Sequence, residues 1–481
     1  MKGRESRGAE EQRRKISLNS EWLLFKHLEE WENSQGLVGF ASYNLSRSLQ
    51  KYFIQLQDLQ SKLKTTPQVI LVEADPIKFI TYFFAAIIFG VNLFICDPHW
   101  QTQEWEQVFD LVKPDFVLGD GEILGSREQG AGGREMGSRE QSIIGIPTGG
   151  SSGKIRFAVH TLSSLTASVL GFAEYFAIPK INSCCTLPLY HVSGLMQLWR
   201  CFITQGQLAI FTYKSLKQGK LPDIIPENFF LSLVPTQLKF LLETNPDWLA
   251  KFSAVLLGGA PAWRSLLEKA RDHQIKLCPT YGMTETASGV VYLSSQDFLN
   301  QNNSSGKVLP HAKVEIIDHQ GKALNSGQIG IIKIQADSLY GGYYPDFNSI
   351  TSLITDDLGY FDEQDFLYIV GRESQKIITG GKNVFPAEVE TAILATGLVK
   401  DICVIGLSDD EWGQVVTAVF VSGENFDLNL LQEKMRSQLS RYKHPKNWLE
   451  VESLERSDRG KINYAKITQL AQGKIQEQKN N

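Results

Sequence analysis

The chain has 481 residues, of which 42% are hydrophobic and 21% charged, a balance typical of a globular protein with about two to four domains. Its 48 Lys and Arg residues and 53 Asp and Glu residues give a net charge of −5, which argues against nucleic acid as the main partner. The six cysteines form no C-x-x-C pair, so they predict reduced core thiols in a cytoplasmic protein and exclude a disulfide framework or zinc site.

The N-terminal part of the chain contains one stretch that could be mistaken for a membrane span. The first residues, MKGRESRGAEEQRRKI, carry both charge signs and no apolar run, so we expect disorder and no secretory signal. The run FITYFFAAIIFGVNLFIC at 79–96 is long and apolar, but it follows the strand-like VILV at 69–72. We predict a β-α-β unit of a parallel sheet, with strands at 69–72 and 92–96 and a helix that begins at Pro76.

The rest of the chain shows three changes of pattern. Short apolar runs alternate with helical patterns up to about residue 300, which predicts an α/β fold with parallel sheets flanked by helices. The segment 125–141, with GSREQ twice, is predicted to be a flexible surface insertion. A strand-and-turn pattern then predicts a β-rich subdomain, and a new α+β unit begins after Arg372. Its polar end, GKIQEQKNN, is expected to be frayed.

A glycine- and serine-rich segment at 143–161, IIGIPTGGSSGKIRFAVHT, is the first candidate site. Its backbone N–H groups and hydroxyls, followed by Lys154 and Arg156, suit a bound anion, above all a phosphate chain. A flexible linker is the alternative interpretation. The segment departs from the Walker pattern, because Thr148 replaces its first glycine and Ile155 its magnesium-binding Ser or Thr.

Four more segments follow in order: CPTYGMTETAS (278–288), TDDLGYFDEQDFLYIVGR (355–372), GGKNVFPAEVE (380–390) and RGKI (459–462). Together with the loop they resemble the ordered motifs of the adenylate-forming superfamily, which comprises acyl-CoA synthetases, luciferases and peptide-synthetase adenylation domains. The resemblance covers about 69–466. It implies a large N-terminal domain over 1–373, with a distorted β-barrel subdomain, and a small mobile C-terminal lid over 374–481.

The resemblance also implies a reaction. A carboxylate and ATP would give an acyl-AMP and pyrophosphate, and CoA would then give a thioester, so ATP, Mg²⁺ and coenzyme A are expected. The first step brings two anions together and needs cations and hydrogen-bond donors where charge develops. The phosphate-binding residues implied by the matched motif are Thr148, Ser151, Ser152, Gly153 and Lys154.

The other matched motifs imply roles for single residues. Thr284 would bond the α-phosphate, Glu285 would bind Mg²⁺, and Tyr281 would flank adenine, with a core aromatic as the alternative for Tyr281. Asp357 would accept hydrogen bonds from the ribose, with Arg372 beside it.

The C-terminal lid is expected to take part in both half-reactions. Lys461 on the lid would neutralise the carboxylate and the α-phosphate in the first step. After the lid rotates, Gly380 and Gly381 would line the pantetheine tunnel.

Three further stretches are similar to the o-succinylbenzoate–CoA ligases of menaquinone and phylloquinone biosynthesis: LPLYHVSGL (187–195), SLVPTQL (232–238) and LLGGAP (256–261). This likeness implies that His191 lies at the acyl and CoA tunnel, although a core histidine is the alternative. The implied substrate is a dianion, so a cation should meet its unreacted carboxylate; Arg200 is the first candidate and Lys239 the second. The pocket candidates are Ser193, Gly194, Arg200, Thr236, Gln237, Gly259 and Gly282.

The sequence departs from the superfamily pattern at four positions. Ile155 and Arg156 stand where Pro and Lys are usual, Asp356 replaces a Gly, and Ser374 replaces the Asp or Lys of the hinge. The alternatives are a ligase for another aryl or fatty acid, a non-catalytic binding protein, a peptide-synthetase adenylation domain and a light-emitting oxygenase. Small-molecule partners, no membrane span and a possible homodimer complete the expectations.

Overall fold

The computed structural model describes residues 21–40, 43–63, 65–119, 142–149, 154–436, 438–454 and 462–480. Several predictions therefore lie outside the described residues: those for the N-terminal 20 residues, for the repeat segment 125–141, for Ser151, Ser152 and Gly153, and for Lys461.

The first part of the chain forms a five-stranded sheet of order β4-β2-β3-β5-β6, in which only the β5–β6 hairpin is antiparallel. The predicted β-α-β unit is confirmed: Asp75 caps the N–H groups of Ile77 and Lys78, and α3 ends at Gly90 with φ +82°. The elements are α1 (Glu21–Asn33), β1 (Leu37–Val38), α2 (Leu45–Lys62), β2 (Gln68–Val72), α3 (Pro76–Phe89), β3 (Asn92–Cys96), α4 (Thr102–Val112), β4 (Phe116–Gly119), β5 (Ile144–Gly149) and β6 (Ile155–His160).

The apolar α3 is buried between layers of protein. It has 14 residues, and ten of them are buried. None of the helices in the described ranges combines the length and the apolar character that crossing a membrane requires.

The second part forms an eight-stranded sheet of order β1-β8-β7-β9-β10-β11-β12-β13. Strands β1 and β7–β11 pair in parallel, and β12 and β13 continue the sheet antiparallel. The elements are α5 (Leu162–Tyr175), β7 (Ser183–Cys185), α6 (Val192–Ile203), β8 (Leu208–Ile210), α7 (Tyr213–Lys217), β9 (Phe230–Leu233), α8 (Pro235–Thr244), α9 (Pro246–Ala250), β10 (Ala254–Leu257), α10 (Arg264–Asp272), β11 (Leu277–Met283), β12 (Ser288–Tyr292), α11 (Ser295–Leu299) and β13 (Lys307–Val308).

One hydrophobic core joins the two large sheets. It contains Leu71 and Leu93 from the first sheet, Cys185 from the second, and Leu165 and Trp199 from the helices α5 and α6 between them. This packing holds the β5–β6 hairpin next to the end of β11, which is why segments far apart in sequence can form one site.

The strand-and-turn region forms an antiparallel four-stranded sheet of order β14-β15-β16-β17. Its strands are β14 (Ala312–Ile317), β15 (Gly330–Ala336), β16 (Leu353–Phe361) and β17 (Leu367–Arg372). The subdomain that was expected to be a distorted β-barrel is this four-stranded sheet, in which each strand pairs with the next from β14 to β17.

The last part of the chain forms a small α+β unit around its own core. Its elements are β18 (Ile377–Thr379), β19 (Lys382–Val384), α12 (Pro386–Ala395), β20 (Val399–Asp409), β21 (Gly413–Ser422), α13 (Leu428–Arg436), β22 (Asn447–Glu450) and α14 (Tyr464–Asn480). The prediction of a frayed polar end is wrong, because α14 continues to Asn480. Ile467 and Ala471 lie one turn apart and pack against Cys403 and Leu449, which gives this otherwise polar helix a buried seam.

The α/β prediction, with a large N-terminal part of sheets and helices and a small C-terminal domain, is confirmed by this architecture.

Candidate active site

The residues suited to binding or catalysis converge on residues 281–288. This segment, called the 281–288 turn, comprises the end of β11, the 3₁₀ turn and the start of β12. At its start Gly282 faces β12 so closely that a Cβ would lie 2.1 Å from the carbonyl oxygen of Ser288. Strand pairing thus explains this glycine, and its predicted contact with substrate stays a prediction. At the end of the turn Ala287 and Ser288 have φ values of +51° and +98°. Two consecutive non-glycine residues in that region store backbone strain, a feature that is frequent at functional sites.

Asp357 receives a hydrogen bond on each carboxylate oxygen. Tyr281 donates its hydroxyl to Oδ2 at 2.9 Å, and Arg372 donates Nε to Oδ1 at 3.0 Å. The pairing of β16 with β17 places Asp357 opposite Arg372. Because each carboxylate oxygen has a second lone pair, this buried group can still accept from two ribose hydroxyls.

The charges around Asp357 determine which groups are protonated. Burial, with the adjacent Asp357 carboxylate, raises the pKa of Tyr281 well above its ordinary value. The phenol is therefore a donor at neutral pH, and its hydroxyl is committed to Asp357. Burial by itself lowers the pKa of Arg372, but the neighbouring carboxylates of Asp357 and Asp356 together raise it above its ordinary value. The three side chains form one pre-oriented cradle.

Glu285 lies in the 3₁₀ turn that follows β11 and is partly buried. Its Oε1 accepts the hydroxyl hydrogen of Tyr343 at 2.6 Å, and its carbonyl oxygen accepts the N–H of Tyr340 at 2.9 Å. A carboxylate of this kind fits Mg²⁺, which takes one or two protein carboxylates and fills its other positions with phosphate oxygens and water. Within the described residues no three His, Cys, Asp or Glu side chains cluster as metal ligands.

His160, which the sequence did not single out, fixes the backbone of Thr284. Its Nε2 lies 2.8 Å from the Thr284 carbonyl oxygen and its Nδ1 lies 3.1 Å from Ser164 Oγ. Burial lowers the pKa of His160 to about 4, so the ring is neutral at pH 7. Because a carbonyl only accepts, the proton resides on Nε2. The sequence signal that could have identified His160 is its position at the end of β6, the strand that follows the glycine-rich loop.

The described residues of the glycine-rich segment lie in or next to β5 and β6, which pair antiparallel. Thr148 is buried and lies opposite Arg156, whereas Lys154 is exposed. The Arg156 guanidinium lies over the ring of Tyr343, with 4.2 Å between Cζ and the ring centroid. The hairpin therefore emerges beside the carboxylate of Glu285, the arrangement expected if phosphates bind between them.

Arg200 is a buried cation beside the same turn. The residue is 3% exposed, and Nη2 donates to Ser288 Oγ and Tyr292 Oη, both at 3.2 Å. Its guanidinium lies 4.2 Å from the centroid of the Phe172 ring. Its Nε is buried without a hydrogen-bond partner, and the described part of the chain brings no carboxylate into an ion pair with it. This burial excludes a surface position for Arg200.

The remaining pocket candidates follow the carboxyl ends of parallel strands, which meet at one edge of the sheet. His191 is buried after β7, with Nε2 3.6 Å from Asp97 Oδ2. Thr236 is exposed after β9, and Gly259 follows β10 with φ +84°. Ser193 is exposed in the first turn of α6.

Two other candidates, Gly194 and Gln237, have structural explanations. A Cβ on Gly194 would lie 2.1 Å from the Pro188 carbonyl oxygen, so close packing requires this glycine. Gln237 is buried and its Oε1 accepts the N–H of Val234, which caps α8. Lys239 is partly exposed on the same helix. Their contact with substrate stays a prediction.

The C-terminal unit carries the other candidates. Gly380 and Gly381 occupy the β18–β19 hairpin with φ values of +54° and +75°, and the Gly380 N–H donates to the Trp412 carbonyl oxygen at 2.9 Å. At the junction of the two units, the Ser374 N–H donates to Asp356 Oδ1 at 3.0 Å and its hydroxyl donates to Oδ2. The two departures from the superfamily pattern thus contact one another.

Comparisons with known proteins agree with this geometry. The family model described as AMP-binding enzyme matches residues 133–344, and the model for the AMP-binding enzyme C-terminal domain matches residues 388–461. A 2-succinylbenzoate–CoA ligase of Listeria monocytogenes is 34% identical over 344 residues, 69% of this chain and 70% of that protein. The enzyme of the same name from Bacillus anthracis is 30% identical over 397 residues, 78% of this chain and 80% of that protein.

Solved structures show the same fold. The o-succinylbenzoate CoA synthetase of Bacillus subtilis, in complex with its acyl-adenylate intermediate, superposes with a TM-score of 0.75 at 24% identity, over 88% of this chain and 92% of that one. ATP-bound MatB from Rhodopseudomonas palustris gives a TM-score of 0.73 at 21% identity, with the same coverage.

Proposed function

The chain belongs to the family of AMP-binding enzymes, and from this premise we propose that it is an acid–CoA ligase that activates 2-succinylbenzoate. Its carboxylate would attack the α-phosphate of ATP, which forms the acyl-AMP and releases pyrophosphate. The thiol of CoA would then form the thioester and release AMP. This reaction belongs to menaquinone or phylloquinone biosynthesis.

The observation that carries the proposal is the set of contacts made by the 281–288 turn. One short segment contacts Asp357, suited to a ribose, through Tyr281, presents Glu285, suited to Mg²⁺, and touches the buried Arg200 through Ser288. A nucleotide bound along this turn would have its ribose and phosphates aligned beside a cation fit for a carboxylate. Alignment of the reacting groups and of charge is the main contribution that a protein makes to this chemistry.

Arg200 supports the choice of a dianionic substrate. Burying a guanidinium without an ionic partner costs several kcal/mol, roughly, unless a bound anion offsets the lost hydration. A substrate with two carboxylates supplies that anion while its other carboxylate reacts. The relatives named 2-succinylbenzoate–CoA ligase act on such an acid.

The remaining assignments complete the proposal. Thr284 would bond the α-phosphate, His191 would border the acyl and CoA tunnel, and the glycines of the β18–β19 hairpin would line it after the lid rotates about the 373–374 boundary. Lys461 would neutralise the reacting anions. The phosphate-binding residues are Thr148, Ser151, Ser152, Gly153 and Lys154.

The cellular setting is part of the same proposal. All six cysteines are free and buried, which suits a reducing cytoplasm. A homodimer is retained as the proposed assembly.

The test is AMP formation from ATP and Mg²⁺ with 2-succinylbenzoate, with and without CoA, beside benzoate and octanoate. We expect sustained, CoA-dependent turnover on 2-succinylbenzoate and little on the other two acids. Lys461→Ala should abolish acyl-AMP formation, whereas Lys466→Ala, in the first turn of α14, serves as the matched control.

Three results would contradict the proposal at different levels. Turnover only on benzoate or octanoate would discard the 2-succinylbenzoate assignment but keep the ligase. Binding of ATP without AMP formation on any acid would favour the non-catalytic alternative. Full activity of Lys461→Ala would refute the assigned role of Lys461.

A further inference from the structure

We propose that Tyr343 is a positioning residue that orients the Glu285 carboxylate toward Mg²⁺, and that Arg156 fixes the ring of Tyr343. This inference rests on the proposed function and adds two residues to it. Tyr343 was not among the predicted ligands of nucleotide or metal, and Arg156 was predicted only to meet phosphate.

The hydrogen bond restricts the rotation of the Glu285 side chain. Tyr343 donates to Oε1 at 2.6 Å. A glutamate has three rotatable side-chain bonds, so a carboxylate in a turn would sample several positions without such a partner. Holding one oxygen leaves the other oriented in a fixed direction. Groups that orient metal ligands in this way typically affect metal affinity about 10-fold or more.

The backbone of Tyr343 is anchored to β6. Ala158 and Tyr343 form an antiparallel bridge, the Val159 N–H donates to the Gly342 carbonyl oxygen at 3.0 Å, and the Gly341 N–H donates to the Val159 carbonyl oxygen at 2.7 Å. The segment 340–344 therefore runs beside β6, the strand that follows the glycine-rich loop. These hydrogen bonds fix its distance from β6.

The backbone of Glu285 is anchored to the same segment. The Tyr340 N–H donates to the Glu285 carbonyl oxygen at 2.9 Å, three residues before the hydroxyl donor. Main chain and side chain of Glu285 are thus both held by 340–343. The metal ligand and the hairpin of the phosphate loop are joined through this one segment.

Arg156 explains why the superfamily lysine is replaced. Its guanidinium lies 4.2 Å from the centroid of the Tyr343 ring, although the residue itself is exposed. A planar guanidinium stacks on an aromatic face, whereas an ammonium is a compact and strongly hydrated charge. An arginine at this position can therefore restrict the ring and still present its N–H groups to phosphate.

The test measures binding separately from turnover. ATP binding to the full-length protein, without carboxylate substrate, is followed by calorimetry in Mg²⁺ and again in EDTA. Tyr343→Phe keeps the ring and removes the hydroxyl. We expect the Mg²⁺ concentration for half-maximal effect to rise about 10-fold, with ATP affinity in EDTA unchanged. In AMP formation, kcat at saturating Mg²⁺ should largely recover.

Two further variants sharpen the test. Tyr360→Phe, at a tyrosine stacked on Tyr368 in the antiparallel sheet, is the matched control and should behave as wild type. Arg156→Lys keeps the charge and loses the stacking plane, and it should raise the Mg²⁺ requirement about threefold, less than loss of the hydroxyl.

Each possible result bears on one part of the proposal. A wild-type Mg²⁺ requirement in Tyr343→Phe overturns the positioning role, and equal loss of ATP affinity in Mg²⁺ and EDTA overturns it in favour of general packing. A wild-type requirement in Arg156→Lys overturns the part assigned to Arg156. If the wild-type protein itself shows no Mg²⁺-dependent ATP binding, the proposed function fails and this inference with it.

Discussion

Replacing Arg200 by Met should change which acid the enzyme accepts, because Arg200 is the buried cation assigned to the unreacted carboxylate. Its Nη2 contacts only two neutral hydroxyls among the described residues, at 3.2 Å each, and its Nε lacks a partner. A substrate carboxylate could therefore accept from Nε and, by displacing one of these hydroxyls, from Nη2. Hydrogen bonds to charged groups contribute about 1.5–3 kcal/mol each, so two would contribute about 3 kcal/mol or more.

This energy converts directly into a substrate preference. About 3 kcal/mol corresponds to roughly 100-fold in kcat/KM. The assay compares 2-succinylbenzoate with two analogues that each lack one carboxylate, 4-oxo-4-phenylbutanoate and 2-butanoylbenzoate. The analogue that supports turnover identifies the reacting carboxylate. Arg200→Met should lower kcat/KM about 100-fold for 2-succinylbenzoate and little for that analogue.

Arg271 offers a matched control. It is also buried, and its guanidinium also lies 4.2 Å from an aromatic centroid, that of Phe298, but backbone carbonyls and Asn303 accept its hydrogen bonds. Arg271→Met should lower the melting temperature without altering the substrate ratio. Arg200→Met should not lower the melting temperature, because it removes a buried charge that lacks a described ionic partner.

Equal loss of kcat/KM for the dianion and the monoanionic analogue would refute the reasoning. Arg200 would then act through packing of the 281–288 turn and not by pairing with a carboxylate.

Three other predictions follow from local geometry. Gly194→Ala should lower the free energy of unfolding by about 1–3 kcal/mol in urea denaturation, because its Cβ would lie 2.1 Å from the Pro188 carbonyl oxygen; unchanged stability would mean that the turn relaxes freely. His160 binds a proton near pH 6.5 when unfolded and near 4 when folded, so stability should fall by up to about 3 kcal/mol as pH drops through that window. His160→Gln should flatten this dependence, and an unaltered pH profile would refute the assignment. Asp356→Gly removes both hydrogen bonds to Ser374 and should speed the CoA-dependent half-reaction about threefold in single-turnover assays, whereas Ser374→Ala removes only the hydroxyl bond and should speed it less; the double variant should match Asp356→Gly. Additive effects would show that the two residues act separately.

The elements with strong local signals were predicted from sequence alone. The apolar run was predicted to form a helix that begins at Pro76, between strands at 69–72 and 92–96, and α3 begins there. The α/β architecture followed from apolar runs of strand length. The C-terminal helix was missed because its sequence is polar and its buried seam, Ile467 and Ala471, has meaning only beside the strands it covers.

The sequence by itself determined the family, because five ordered motifs identify a chemistry that depends on residue types and their order. It also named Tyr281, Glu285 and Asp357. Only the tertiary structure decided which side chains meet them. Tyr343 lies 58 residues from Glu285 and His160 lies 124 residues from Thr284. Such contacts depend on the packing of two sheets through a shared core, and no local pattern encodes a pairing across that distance.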